Sequence, residues 1–374
     1  MDSPLYRDIR VVVVNENWLG ATGLAALAAC VRLGARASSM SEGEYVPIRW
    51  QSFGMRVIGK IFRSFAVREF NRALLGECDR RKADLLLVFK GPFVTADTLK
   101  EIRNNGTRSY CFYPDVAFDV HGPYLPAALR QYDWIFTSKT FGLRDLREQL
   151  GITAASYLPH AFDPIVHRPC KPTSQDLAMY ACDVSFIGTW SPKKESVLAY
   201  LIQKRPQIKV KIWGNQWEKI THASLKQAVQ FKSIEGLDYA AAIGCSKINL
   251  AILSERRGNA SSGDLITSRT FEIPASGGLM LHERTPDLAH YFVEGKDCAC
   301  FEGHDELVEC VDQLLSDDAL RRRISEQGRR TVDRYHSWDH RVRVILDHFL
   351  NRPKERGHIE AEAALELPAK VGVA

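Results

Sequence analysis

The sequence predicts an α/β protein of two Rossmann-like domains whose parallel sheets face each other across a cleft. Three observations lead there. Apolar runs such as Val11–Val14 and Leu85–Phe89 are continuous rather than alternating, which suits strands covered by helices on both faces. Each run ends in a turn-forming group and hands over to a helical pattern. At 374 residues the chain exceeds one ordinary domain, and a polar, proline-bearing crossing near residues 165–180 separates two such series. The expected domains are 1–168 and 180–350, with 353–374 a frayed tail lacking a core pattern.

Arg10–Val14 opens the first series as a buried strand. Asn15–Gly23 turns, and alanine-rich Leu24–Leu33 forms a helix closed by Gly34. Gly20-Ala-Thr-Gly23 is not the dinucleotide fingerprint, and it serves either a close strand-to-helix turn or a substrate contact. Residues 55–82 read as one long helix with an apolar stripe of Ile58, Ile61, Phe62 and Phe65. Arg56, Lys60 and Arg63 lie on another side, and Arg68 and Arg72 continue the basic character. Such a face is either solvated, or holds an anionic acceptor or rests on an anionic membrane.

Strands follow at Leu85–Phe89, Ser109–Tyr113 and Trp134–Thr137, ending in Lys90, in Pro114-Asp115 and in Ser138-Lys139. In open parallel sheets the ligand crevice lies outside the carboxyl ends of the strands, so Lys90 and Asp115 are expected to face it. Asp115, Asp119 and His121 form the best acid/base cluster of this half, with turn or cap roles the alternative for a loop aspartate. Tyr157-Leu-Pro-His160 and Pro169–Pro172 close the domain, and Lys171–Ala181 has the composition of an inter-domain crossing.

The second series begins with strand Val184–Ile187, ending in Gly188-Thr189-Trp190. Ser191 can cap the next helix, and Pro192 suits its first position. Lys193 and Lys194 in its first turn oppose the helix dipole, which makes sense where a diphosphate binds beside them. Strand Lys209–Trp213 ends in Gly214-Asn215. A turn at Gly236, a helix over Asp238–Gly244 and strand Ile248–Leu253 come next.

Residues 264–283 then read as a loop ending near Thr267–Ser268, a helix carrying Glu272, the turn Gly277–Gly278 and a buried strand at Leu279–Leu281. A helix start offers unpaired N–H groups to phosphate, and Glu272, about one turn further in, can accept hydrogen bonds from a sugar hydroxyl. Pro286-Asp287-Leu288 starts another helix, and Asp305–Leu315, Asp318–Tyr335 and Trp338–Leu350 are amphipathic helices.

Composition narrows the function class. An apolar fraction of 45% and a charged fraction of 25% suit a soluble globular protein. No apolar run approaches the roughly 20 residues that span a bilayer. Met1-Asp2-Ser3-Pro4 lacks the layout of a secretory signal, so a cytoplasmic protein is expected, peripheral at the inner membrane face if the basic helix binds there. Nine scattered cysteines fit reduced thiols. Cys298 and Cys300, one residue apart in a strand-like run, are expected on opposite faces, with no metal or redox role. A net charge of +5 leaves room for an anionic ligand, and no nucleic-acid-binding signature is present.

The stretch Arg269-Thr-Phe-Glu-Ile-Pro-Ala-Ser-Gly-Gly278, followed by an apolar strand, resembles the group-1 sugar-nucleotide glycosyltransferases of the GT-B fold, and among them the CgeB-like branch. Leu288–Phe292, Gly295-Lys-Asp297, Phe301, Asp305-Glu-Leu307 and Gly328–His336 fit the same pattern. The resemblance spans residues 85–345, densest in the second half.

In that class two acidic residues eight positions apart bind the donor. Glu272 matches the one that holds the ribose hydroxyls, and Asp264 falls where relatives often carry Glu for the donor sugar. Ser268, Arg269 and Thr270 would meet the diphosphate. Relatives carry Arg directly after the glycine of the Gly188 loop and Lys five residues later. Here those places hold Thr189 and Lys194, with Lys193, Arg256 or Arg257 as substitute charges. Trp213-Gly214-Asn215 and Gly236–Tyr239 would meet the nucleobase. Asp115 is the implied acceptor contact or base, and His160 a further candidate beside a structural reading.

The resemblance implies transfer of a sugar from a UDP- or GDP-sugar to a carbohydrate, lipid or protein acceptor, with retained configuration. No permanent cofactor is expected. No metal is expected either, since no D-x-D motif lies in strand context while cationic side chains are at hand. The alternatives are a non-catalytic nucleotide-binding partner protein and a sugar-nucleotide epimerase.

Overall fold

The structure, a computed structural model, describes residues 4–16, 18–46 and 53–351, with backbone only over 53–61. The expected tail lies outside the described residues. The chain divides into two compact units. One holds the described residues up to Pro159, with Arg256–Ser262 and the chain from Trp338; the other holds His160–Glu255 and Gly263–Ser337.

The first unit runs β1 (Arg10–Asn15), α1 (Thr22–Arg32), β2 (Arg36–Ser41), α2 (Glu42–Tyr45), α3 (Phe53–Arg81), β3 (Leu85–Phe89), α4 (Ala96–Asn104), β4 (Arg108–Tyr113), α5 (Leu125–Leu129), β5 (Trp134–Thr137), α6 (Gly142–Leu150) and β6 (Ala155–Tyr157). All pairings are parallel, in the order β2-β1-β3-β4-β5-β6. The central strands are the aliphatic runs read from the sequence. The edges β2 and β6 are not anticipated by it, because an edge strand is covered less fully. β2, Arg-Ala-Ser-Ser-Met-Ser, is mostly half-exposed.

The long helix α3 is present, but its buried stripe is Val67, Phe70, Leu74 and Cys78. Phe62 and Phe65, expected in the apolar stripe, are 60% and 59% exposed. The side chains of Arg56, Ile58, Lys60 and Ile61 lie outside the described residues. Arg63 stacks on Phe93, Arg68 is exposed, and Arg72 pairs with Glu69.

The second unit runs α7 (Ser174–Tyr180), β7 (Cys182–Ile187), α8 (Pro192–Lys204), β8 (Val210–Trp213), α9 (Gly236–Gly244), β9 (Ser246–Ala251), α10 (Arg269–Ala275), β10 (Met280–Glu283), β11 (Ala299–Phe301), α11 (Gly303–Ser316) and α12 (Asp318–Tyr335). Its parallel sheet is ordered β11-β10-β9-β7-β8. α7 fills most of Lys171–Ala181, the stretch with the composition of an inter-domain crossing. Thr173 and Asp176 form a reciprocal capping box that starts a helix there. Cys298 and Cys300 correct their expectation. Residues two apart in an extended run share a face, and the two buried sulfurs lie 3.8 Å apart. All nine cysteines are free.

The last helix, α13 (Trp338–Asn351), belongs to the first unit, packing on α1 and setting Trp338 edge-on against Phe89 and Phe112.

Candidate functional site

In each unit the strand order reverses beside the first strand, between β1 and β3 and between β7 and β9. The crevice at such a switch point is where open α/β sheets hold ligands.

In the second unit the candidate residues converge there. Gly188 follows β7, and Gly214, which follows β8, packs directly on it. A Cβ on Gly214 would overlap the Gly188 carbonyl, and its φ of 142° is one that glycine alone adopts easily. Trp217 Nε1 donates to the Gly188 carbonyl at 2.9 Å, and Trp190 N donates to the Asn215 carbonyl at 2.9 Å. The two loops are thus held as one rim. The Trp213 ring is buried against Tyr180, so this residue offers backbone rather than a stacking surface.

Ser191 and Pro192 start α8 as the sequence predicts. The Ser191 hydroxyl caps Lys194 N and donates to Glu255. The two lysines then diverge. Lys193 reaches Glu283 at 2.8 Å, while Lys194 is buried and turns its Nζ to the Thr189 carbonyl at 3.2 Å and to Ser254 Oγ at 3.0 Å. Asp264 N donates to the Ser254 carbonyl at 2.9 Å, so Asp264 and Lys194 meet around one residue at the end of β9. Arg256 and Arg257, expected as substitute charges, are exposed and fall in the segment that packs with the first unit.

At α10 only part of the expected free N–H set remains, at Ser268 and Arg269. Thr270 N bonds to the Thr267 carbonyl, and Phe271 N and Glu272 N to that of Ser268, because a tight turn precedes a helix of only seven residues. The turn also presents side chains. Arg269 donates to the Ile252 carbonyl at 2.9 Å, stacks over Phe186, and sets NH1 where a Gly188 side chain would stand; its buried Nε has no partner. Glu272 accepts from Ser268 Oγ at 3.1 Å and lies against Tyr239. Burial pushes its carboxyl up to about 7, against the lowering effect of Ser268 and Arg269.

Residues 193–347 match the model of the family described as glycosyl transferase-like. No curated protein matches the chain. Similar solved structures include sucrose-phosphate synthase from Thermosynechococcus elongatus, at 11% identity and TM-score 0.65 over 91% of this chain and 98% of that one. HepE from Anabaena in complex with UDP and glucose matches at 11% identity and TM-score 0.59, over 92% and 100%. An E. coli trehalose-6-phosphate structure bound with UDP-2-fluoro glucose matches at 13% identity and TM-score 0.61, over 92% and 99%. The fold is GT-B.

Within this GT-B chain the first unit carries a separate cluster at the ends of β3 and β4. Lys90, at a left-handed φ of 66°, pairs with Asp115 Oδ2 at 2.7 Å, and His121 Nε2 meets the same oxygen at 3.0 Å. Burial would raise the Asp115 pKa, but His121 and Lys90 outweigh it and hold the carboxyl well below the usual carboxylate range. Such a group stays ionised and is a poor proton acceptor, which favours a contact role over the base role. Asp119 is exposed beside Gly258. Gly23 takes the structural side of its two readings, since a Cβ there would overlap Asn15. His160 is buried at the start of the second unit.

Sequence reasoning assigned no role to Ser254, His282 or Glu283. Glu283 holds both Lys193 and, at 2.8 Å, Leu253 N. The available signal was a polar His-Glu pair ending an otherwise apolar strand.

Proposed function

We propose that the protein transfers a sugar from a UDP- or GDP-sugar to a carbohydrate, lipid or protein acceptor, with retention and without a metal, as a CgeB-like group-1 enzyme. The observation that carries this reading is the gathering of Gly188, Lys194, Arg269 and Glu272 at the β7/β9 switch point. The complexes of HepE with UDP and glucose, and of the E. coli structure with UDP-2-fluoro glucose, support a uridine-diphosphate donor.

In this reading Arg269 and Lys194 balance the charge that grows on the departing diphosphate, with Ser268 and the Gly188-Thr189 backbone closing around it, while Thr270, expected there too, is buried with its hydroxyl and amide bonded inside the protein. Glu272 takes the ribose hydroxyls, Asp264 the donor sugar, and the loops at Trp213–Asn215 and Gly236–Tyr239 the base. Lys193, tied to Glu283, shapes the rim rather than meeting phosphate directly. Asp115 contacts and orients the acceptor, and His160 serves packing. Fixed positioning and electrostatics supply the rate. Exposed Phe62 and Phe65 with Arg63 and Arg68 support peripheral contact of α3 with an anionic membrane in the cytoplasm.

The test is incubation of the full chain with a panel of UDP- and GDP-sugars and candidate acceptors, reading released nucleoside diphosphate and the anomeric configuration of the product. Release with a transferred sugar of retained configuration is expected. Thr189 in place of the expected Arg, and the shorter Asp264, favour one alternative, a nucleotide-binding partner protein. Tight nucleotide binding with no turnover of any donor would select it.

A further inference from the structure

The penultimate residue of β10 is a histidine that the reaction does not call on. His282 is fully buried, as is Thr270 on the facing turn. Its Nδ1 lies 2.6 Å from the Glu283 carbonyl oxygen, which can only accept, so Nδ1 carries the proton. Nε2 is then an acceptor, and Thr270 Oγ1, 2.9 Å away, must donate to it. The same Oγ1 accepts from Thr267 N at 3.0 Å. Every polar atom in the series has one role, and reversing any bond would leave a buried group unmatched. The series runs from the end of β10 to the turn Thr267–Glu272, which carries Arg269 and Glu272. The neighbouring Glu283 side chain ties the same strand end to Leu253 N and Lys193.

We infer that His282 is a positioning residue of the nucleotide site, which holds the Arg269–Glu272 turn in register through the Thr270 hydroxyl. The inference rests on the reading above that Arg269 and Glu272 meet the nucleotide. The imidazole never touches ligand. It acts as a neutral acceptor, and burial keeps it so by pushing its pKa down to about 4.

The test uses the full chain, with UDP and GDP as probes in calorimetry. Thr270→Val keeps the shape of the side chain and removes the hydroxyl. It is expected to weaken binding of the preferred nucleotide about tenfold, the scale of one well-placed hydrogen bond. Thr270→Ser restores most of that loss. His282→Gln, which keeps an acceptor, falls between them.

Val311→Ala, a cavity variant elsewhere in the same unit's core, serves as the stability control. It lowers Tm without changing affinity. If Thr270→Val costs no more affinity than Val311→Ala, or if Thr270→Ser fails to recover it, the inference is overturned. Nitrogen-15 spectra of the imidazole decide the series independently. The Nδ1–H tautomer is required, and the Nε2–H tautomer overturns it. If the unaltered protein binds neither UDP nor GDP, the proposed function fails. The tautomer and the hydrogen-exchange protection of the Thr267 amide, lost in Thr270→Val if the series holds, then still decide the positioning role.

Discussion

At the strand ends of the first unit, the side chains of Lys90 and His121 both close on one oxygen of Asp115. At the strand ends of the second unit, the polar side chains join separate segments: Lys194 and Arg269 reach the chain just after β9, Lys193 the β10 end, His282 the Thr267–Glu272 turn. The difference is one of connectivity. A cluster that closes on itself can be removed with local consequences. A set of staples between loops transmits any loss to the whole rim, so substitutions of similar chemistry have unequal effects in the two units.

The largest effect is expected where two backbones touch in the rim. Gly214→Ala drives a methyl group into the Gly188 carbonyl and places alanine at φ 142°. The expected loss is about 4 kcal/mol or more in urea unfolding, the range of a severe steric and backbone conflict. A loss below about 1 kcal/mol would mean that the two loops separate easily, and the contrast with the first unit would weaken.

Glu272 comes next. Glu272→Ala should weaken UDP or GDP binding by about 1.5–3 kcal/mol, as for hydrogen bonds to a charged group. Unchanged affinity by calorimetry removes Glu272 from the site. The same residue gives a pH test. Its folded pKa of about 7 lies above the ordinary 4.5, so the folded state holds the proton longer than the unfolded chain. Its contribution is therefore neutral below pH 4.5 and turns destabilising as pH rises through 7, by up to about 3 kcal/mol. Glu272→Gln should gain that much relative to the unaltered protein between pH 4.5 and 8. An equal difference at both pH values contradicts the buried carboxyl.

Neighbouring lysines sharpen the comparison further. Lys194→Met removes a buried staple, and a loss of about 1–2 kcal/mol in nucleotide affinity is expected. Lys193→Ala breaks a pair whose lysine is 38% exposed, and less than about 1 kcal/mol is expected in either affinity or stability. Equal effects would show that burial does not separate their roles.

The start of α8 and the buried strands were legible because their signals are local: Ser191-Pro192 for the cap, continuous apolar runs for the sheet centres. The edge strand β2 was not, since half-exposed serines look like loop. Nor was α7, whose Thr173–Asp176 box sits in a stretch dominated by polar residues. Trp338–Asn351 shows a helical period without showing which unit it serves. That choice is made by Phe89 and Phe112, more than two hundred residues earlier. Lys194 was legible as a candidate through the family resemblance, but its partner Ser254 is 60 residues away and carries no pattern. The helix-start reading of residues 268–272 meets a feature equally invisible in sequence. The turn folds back and takes the Thr270, Phe271 and Glu272 amides, so those of Ser268 and Arg269 are left beside the Arg269 and Glu272 side chains.

The smallest effect belongs to the closed cluster. Asp115→Asn frees Lys90 and His121 but touches no staple of the second unit. The Asp115 side chain is 35% exposed, and solvent screens the pair, so a stability change below about 1 kcal/mol is expected. The sign with pH follows from the lowered carboxyl. Its contribution is present above the ordinary value of 3.8 and lost as pH falls through the depressed folded value. The variant should therefore differ most from the unaltered protein near neutrality and converge with it in acid. UDP and GDP affinity should be unchanged, because the staples of the proposed nucleotide site are intact, while turnover falls through loss of the proposed acceptor contact. Normal turnover would take Asp115 out of the reaction. A fall in nucleotide affinity would show that the cluster is not closed, and that the two sets of strand ends differ less than their contacts imply.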